Sequence, residues 1–404
     1  MKIDKRKTML NVVSTLLKAL WVFPMKKRRI LFYSFGGQFS DSPKYIYEYL
    51  KKKNLKFDYV WVSKMENQGI PNDCKCIKGS GIGFFYYLST SKMIVVNDYI
   101  NTYYPRRRGQ IIINTWHGGS PLKTAGMVGT EVSDEEKDFF HRHDKIYSLF
   151  LSSSSFMTGE VFRKSFGFTG PIFESGMPRN AILLREHQVQ ESKVRSYFNI
   201  NADKGIVLYA PTFRGNAKAG GFLNKDQQFD VKKCLGILEK KFNREFVFLF
   251  RAHHAFKDDI ESADVCIASD YPDMQELLCA SDILITDYSS CMGDEALMNK
   301  PTFLFCPDLE EYQSERGFYW DIYSLPFPVF KDEASFLQGI VEFDESLYKK
   351  NIKDYLDRLG SFENKDSDKI VGDFLIDLME GRRFISNECK VFGITEEYRN
   401  FNNS

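Results

Sequence analysis

Short, unbroken apolar runs alternate with longer amphipathic stretches through most of the chain. ILFYSF (30–35), FDYVWVS (57–63), MIVVN (93–97) and IIIN (111–114) come first, and IVLYA (206–210), FVFLF (246–250), ILI (283–285) and TFLFC (302–306) follow. Runs this short, with little polar alternation, suit strands covered on both faces, as in a parallel sheet. Between them lie segments of helical character, such as DSPKYIYEYLKKK at 41–53. Strand and helix in alternation predict an α/β chain with parallel sheets. Ser40 to Pro43 offers cap residues and a proline at the permitted place for the first helix. An anion could bind at that helix start, although capping alone accounts for the residues.

GMPRN (176–180) closes the first set of runs, the charged stretch 184–204 reads as helix plus linker, and a second set starts at Ile206. From about 334 to 378 the pattern is helical. These breaks predict four parts: an N-terminal segment (1–28), a first Rossmann-like domain (29–190), a second (205–345) and a C-terminal helical segment (346–404). A chain of 404 residues with 43% hydrophobic content can build two such cores.

The N-terminal segment sets Lys5-Arg6-Lys7 and Lys26-Lys27-Arg28-Arg29 around an apolar run from Met9 to Phe23. A spanning helix needs roughly 20 apolar residues, whereas this run is shorter and interrupted by Asn11, Ser14, Thr15 and Lys18. No small-residue cleavage site follows it. On a helical wheel those four share one side and Leu10, Val13, Leu17, Leu20 and Trp21 cover the rest. The pattern predicts an amphipathic helix in a membrane interface, with a helix packed on the protein's own surface as the alternative. Basic flanks would add about 1 kcal/mol per residue near an anionic leaflet.

Charge sharpens this division. Residues 1–29 hold nine Lys or Arg and one Asp, a balance of +8, so a whole-chain charge of +1 leaves −7 for the rest. A mildly acidic body argues against nucleic acid as a partner. Eight cysteines, without paired CxxC spacing, read as buried thiols of a reducing compartment. His141 and His143 lie in a charged helical stretch and read as a solvated face. No HExxH or DxD-type signature is present, so neither a structural metal nor a cofactor is expected.

The candidate chemistry centres on CASDILITDYSSCMGDEALMNKP (279–301), a strand, a turn and a helical segment from Met292 to Met298. Asp287 ends the strand, and Ser289 and Ser290 precede a helix start whose unpaired N–H groups would welcome an anion. Asp294 would then reach a ribose hydroxyl. Ser-Ser as an ordinary cap and Asp as an ordinary turn residue explain the same letters. His117 follows a strand end and precedes Gly118-Gly119, which would leave its imidazole facing open space. Lys123 would neutralise phosphate charge. Arg106 to Arg108 would meet an anionic acceptor or simply be solvated. Arg214, just past a strand, can set a planar charged fork against phosphate.

The wording of ITDYSS, Asp294, Lys300-Pro301 and RGFYWD (316–321), with WHGGSPLK around His117, GMPRN, YAPTFR (209–214) and RAHH (251–254), resembles the CDP-glycerol glycerophosphotransferase family. Its enzymes build teichoic acids and related phosphodiester-linked capsules. The resemblance runs from Phe35 to Asp321. It implies a GT-B-like architecture of two Rossmann-type domains, with the ligand in a cleft between them. It also implies a peripheral enzyme of the cytoplasmic membrane face, whose partners are CDP-glycerol or a related CDP-polyol, a lipid-linked saccharide or polymer acceptor, and an anionic membrane surface. Ser289, Ser290 and Asp294 would hold the donor's pyrophosphate and ribose, with Asp287 also on the substrate; Thr212, Arg214, Arg251 and His253 would sit at its phosphates, His253 counting with His117 as catalytic. His117 would take the acceptor's proton as its oxygen attacks the glycerol-bearing phosphorus, CMP leaving. Three departures stand out. Gly119-Ser120 is one residue longer than the family's usual Thr, Gly293 and Glu295 replace the aromatic neighbours of the acid, and His254 replaces a proline. A GT-B glycosyltransferase or nucleotide-sugar epimerase, or a non-catalytic membrane scaffold of capsule assembly, are the rival readings.

Overall fold

A computed structural model describes residues 2–64, 69–128, 132–212, 228–251, 265–383 and 392–393, with backbone alone for 2–7 and 392–393. The chain divides into two compact units, one of residues 1–117, 125–181 and 360–404, the other of 118–124 and 182–359. This division differs from the sequence expectation in three ways. The middle stretch of the first unit ends at Ala181, residues 118–124 join the second unit, and the expected C-terminal segment 346–404 is shared between the two.

In the first unit helix α1 (Lys2–Leu17) precedes the strands β1 (Lys26–Tyr33), β2 (Asp58–Ser63), β3 (Lys75–Lys78), β4 (Ser91–Val96), β5 (Ile111–Asn114), β6 (Leu149–Ser152) and β7 (Ile172–Glu174). They form a parallel sheet in the order β7-β6-β5-β4-β1-β2-β3, extended beyond β7 by Phe392–Gly393. Helix α2 (Asp41–Lys52) connects β1 to β2, α3 (Gly81–Thr90) leads into β4 and α4 (Asp134–Ile146) into β6. The runs read as continuous apolar are buried at their centres: Ile30, Leu31, Phe32, Val60, Trp61, Ile94 and Val95 have no exposed surface. Phe32 stacks on Trp61, and Tyr47 of α2 meets both edge-on. Helix Ser367–Met379 packs on α2, with Phe374 against Phe173 and Tyr49 donating to Asp373.

The start of α2 differs from expectation, since the Ser40 side chain makes no cap bond. Asp41, at φ +60°, instead bonds the Ser42 N–H and takes an ion pair from the buried Arg179 of the GMPRN turn at 2.7 Å. The carboxylate is thereby committed to holding that turn.

The basic cluster 26–29 is also structural. It opens β1, where Arg29 pairs with Asp58 at 2.6 Å and Arg28 lies over the Phe57 ring. Arg107 donates to the carbonyls of Trp21 and Phe23, and Arg106 to Ile146 O and Ser148 Oγ, so two of the three arginines are framework. In α1, Leu10, Val13 and Leu17 are half-buried, while Met9, Val12 and Leu16 are 59%, 53% and 68% exposed. The polar and apolar positions are therefore not cleanly divided between two faces. No described helix is long and apolar enough to cross a membrane.

The second unit repeats the plan. Helix α5 (Gln188–Phe198) precedes β8 (Gly205–Tyr209), and α6 (Val231–Phe242) leads to β9 (Phe246–Phe250) and β10 (Val265–Ile267). Then come α7 (Met274–Ala280), β11 (Ile283–Thr286), α8 (Cys291–Ala296) and β12 (Thr302–Phe305), with β13 (Val329–Phe330) completing the parallel order β10-β9-β8-β11-β12-β13. Helices α9 (Leu309–Arg316), α10 (Glu333–Glu342) and α11 (Glu345–Leu359) complete the unit. Each sheet thus runs outward from its first strand in both directions, the doubly wound order with its switch point between β1 and β4 or between β8 and β11. This is the α/β, GT-B-like fold class expected from the sequence.

Candidate active site

Ligands of doubly wound sheets bind outside the carboxyl ends of the strands at the switch point. In the first unit that place is framed by Phe35, two residues beyond β1, and Asn97, next after β4. Asn97 is buried and works in two directions. Its side-chain oxygen accepts from the Phe35 N–H at 3.0 Å, and its main-chain oxygen lies 2.7 Å from His117 Nδ1. A carbonyl can only accept, so Nδ1 carries a proton, and in the neutral ring the lone pair is on Nε2. Nε2 makes no hydrogen bond among the described residues. The ring is half-buried, stacked on Trp116 at 4.3 Å and flanked by Phe35 at 5.3 Å.

Both flanking aromatics sit on backbone in the left-handed region, Phe35 at φ +41° and Trp116 at φ +54°. For bulky side chains this costs on the order of 1–3 kcal/mol each and marks functional sites. Asn114 holds the Trp116 turn, accepting from its N–H at 2.8 Å and donating to Asp98 O. Asn97 was missed in the sequence, although a polar residue directly after the apolar run MIVV was a usable signal. His143 is corrected from solvated to buried. Its nitrogens face Phe139 O and Ile100 O at 2.9 and 2.8 Å, and burial lowers its pKa.

In the second unit the switch point brings Thr212 and Asp287 together. The buried carboxylate of Asp287 accepts from the Thr212 N–H at 2.9 and 3.0 Å and from the Tyr288 N–H at 2.5 Å. It ties the β8 and β11 turns to each other. Tyr288 is wholly buried, stacks on Tyr312 at 3.9 Å and donates to Asp308, so the aromatic between Asp287 and Ser289 is an anchor. Burial raises its phenol pKa strongly.

Ser289 and Ser290 stay half-exposed. The N–H groups that begin α8 already have partners: Cys291 bonds Ser289 Oγ, Met292 bonds Ser289 O and Gly293 bonds Ser290 O. The donors at the helix start are therefore occupied, and the unpartnered ones lie in the turn before it. Neither the backbone N–H groups of Ser289 and Ser290 nor the Ser290 hydroxyl has a partner among the described residues. Two adjacent amides and a hydroxyl without protein partners are donors of the kind that anions take.

Asp294 is 2% exposed and accepts from Gln275 Nε2 at 3.2 Å, so it faces the interior rather than open space. Arg251 bonds the carbonyls of Ala268 and Tyr271 through Nη1 and is half-buried; burial lowers its pKa. Lys123 is bridged to Phe318 of the RGFYWD stretch. Arg214 and His253 lie outside the described residues. The sequence also gave no role to Glu295. It has no exposed surface, only Oε1 is bonded, by Ser281, and burial pushes its pKa up to about 7 against the opposing pull of Lys300. Of the described cysteines, Cys76 is exposed and Cys266 half-buried, against expectation, and Cys389 lies outside the described residues. No group of three or more His, Cys, Asp or Glu suited to a metal occurs among the described residues.

The family model described as CDP-Glycerol:Poly(glycerophosphate) glycerophosphotransferase matches residues 15–377. The chain is 30% identical over 391 residues to the teichoic acid poly(glycerol phosphate) polymerase of Bacillus spizizenii, spanning 92% of this chain and 98% of that protein. It is 28% identical over 360 residues to the teichoic acid glycerol-phosphate transferase of Staphylococcus aureus, spanning 84% and 90%. Among solved structures, that of the wall teichoic acid polymerase TagF superposes with a TM-score of 0.78 at 27% identity, over 95% of this chain and 99% of that one. With the match covering nearly all of both units, the chain belongs to the CDP-glycerol:poly(glycerophosphate) glycerophosphotransferase family.

Proposed function

We propose that the protein transfers glycerol phosphate from CDP-glycerol to a hydroxyl of a teichoic acid or glycan acceptor. The observation that carries this reading is the family match across residues 15–377. In the reaction the acceptor oxygen bonds to the glycerol-bearing phosphorus, the bond from that phosphorus to the bridging oxygen breaks, and CMP leaves with that oxygen. His117 Nε2 takes the acceptor proton. Support for this role comes from the Nδ1 bond to Asn97 O, which fixes the basic tautomer before substrate arrives. Ser289 and Ser290 hold the donor diphosphate through their amides and hydroxyls, and positive charge from Lys123, Arg214, Arg251 and His253 offsets what develops on the leaving phosphate. Phosphoryl transfer depends on such placement and neutralisation. Asp294 acts on the donor through Gln275, whose Nε2 it binds, rather than on the ribose directly.

The acceptor is lipid-linked and the protein works at an anionic membrane surface, a reading supported by the outward Met9, Val12 and Leu16 of α1 together with exposed Val22 and Phe23. CDP-glycerol labelled with ³²P in the glycerol-bearing phosphate tests the function. Label passing to acceptor with unlabelled CMP released is expected. Label staying in the nucleotide while a sugar is transferred or rearranged would sink the proposal in favour of a glycosyltransferase or epimerase.

A further inference from the structure

Two of the three places where the sequence departs from the family wording touch each other. The first is the extra residue in Gly119-Ser120, and the second is glycine at 293 where an aromatic is usual. Residues 118–124 lie in the second unit, and their far end is fixed there. The Tyr319 N–H donates to Leu122 O at 2.8 Å, the Thr124 N–H to Gly317 O at 3.1 Å, and Thr124 Oγ1 to Arg316 O at 2.5 Å. The near end rests on the Ser290–Gly293 turn. A Cβ placed on Gly293 would fall 2.1 Å from Ser120 Cβ and 2.3 Å from its Oγ, and one on Gly118 would fall 3.4 Å from Ser290 Oγ. Ser120 is 5% exposed, with the buried Tyr355 of α11 beside it. No side chain larger than hydrogen fits at 293 while Ser120 stays in place.

We infer that Ser120 seated over Gly293 is a positioning contact, setting the start of the loop that follows His117 against the turn formed by Ser289 and Ser290. The inference rests on the reading of His117 as base and of that turn as donor site. All six residues of α8 are buried. The methyl of an alanine at 293 has no room beside Ser120 Cβ, so residues 118–120 and α8 are forced apart. Gly118 is next to His117 in the chain, so the displacement reaches the base. Shifts of about 1 Å can cost on the order of 10²-fold in rate.

The experiment measures kcat with CDP-glycerol and acceptor, and donor affinity by calorimetry, on the full chain. Gly293→Ala should lower kcat at least about tenfold and leave the CDP-glycerol Kd within about twofold. Adding Ser120→Gly, which removes the colliding Cβ, should restore kcat. Unchanged kcat in Gly293→Ala, an equal loss of donor affinity, or no restoration in the double variant would each overturn the inference. Ser120→Leu crowds the same contact without altering α8 and should reproduce the loss, so it decides the matter if Gly293→Ala does not fold. His117→Ala in the same assay separates the layers. Turnover retained there removes the base assignment and this inference with it, whereas turnover lost there but kept in Gly293→Ala removes only the positioning contact.

Discussion

Replacing His117 with alanine takes away Nε2 and leaves Asn97 O, a backbone acceptor beside a half-exposed ring, to be met by water. Turnover should fall roughly 10²- to 10⁴-fold with the thermal midpoint little changed, as measured by kinetics and calorimetry on one preparation. Near-normal turnover would remove His117 as the base. Glu295 supports a prediction about pH. Its folded pKa is raised to about 7 while the unfolded value is the ordinary one near ~4.3, so the folded form holds its proton longer. The stability this gives is complete below the unfolded value and is lost as pH rises through about 7. The loss is at most about 1.4 kcal/mol per pH unit between the two. Glu295→Gln, neutral at every pH, should be flatter than wild type in urea unfolding between pH 5 and 8. Parallel curves would show that the buried carboxyl does not titrate in this range.

At the scale of elements, β11, its turn and α8 divide their labour among neighbouring letters. Asp287 and Tyr288 face inward and fix the turn, Ser289 and Ser290 face outward, and Asp294 and Glu295 are buried along α8. Ser289→Ala with Ser290→Ala removes both hydroxyls, and with Ser289 Oγ the partner of the Cys291 N–H. The double variant should therefore weaken CDP-glycerol binding, by several-fold rather than completely because both amides remain, and acceptor KM should change less. Calorimetry showing wild-type donor affinity would place the diphosphate elsewhere.

For the whole molecule, the +8 balance of residues 1–29 does not form one detachable tail. Lys26 to Arg29 begin β1, and Arg107 grips Trp21 and Phe23, so a cut at residue 29 would damage the sheet. Removing residues 1–17 takes α1 alone. That truncation should lower sedimentation with vesicles containing anionic lipid and lower activity on a lipid-linked acceptor, while activity on a soluble acceptor analogue survives. Raised salt should weaken vesicle binding of the full chain by screening exposed charge. Undiminished sedimentation of the truncated protein would assign α1 to the body of the first unit only.

Strand positions were legible because burial on both faces leaves a local mark, an apolar run such as ILIT or FVFLF, that needs no knowledge of the partner strand. The turns after those runs were legible too, since polar residues at strand ends are conspicuous: His117, Thr212, Asp287 and the two serines were all found this way. What each of them faces was decided only by tertiary structure. His117 is oriented by the main-chain oxygen of Asn97, and every residue has such an oxygen, so nothing in the letters marks it. Asp287 and Asp294 read as ligands until the fold supplied the Thr212 amide and the Gln275 side chain as their partners. The same holds for Ser120 and Gly293, 173 positions apart in the chain. A glycine states in sequence only that a side chain is missing, and the packed structure alone says what occupies the space.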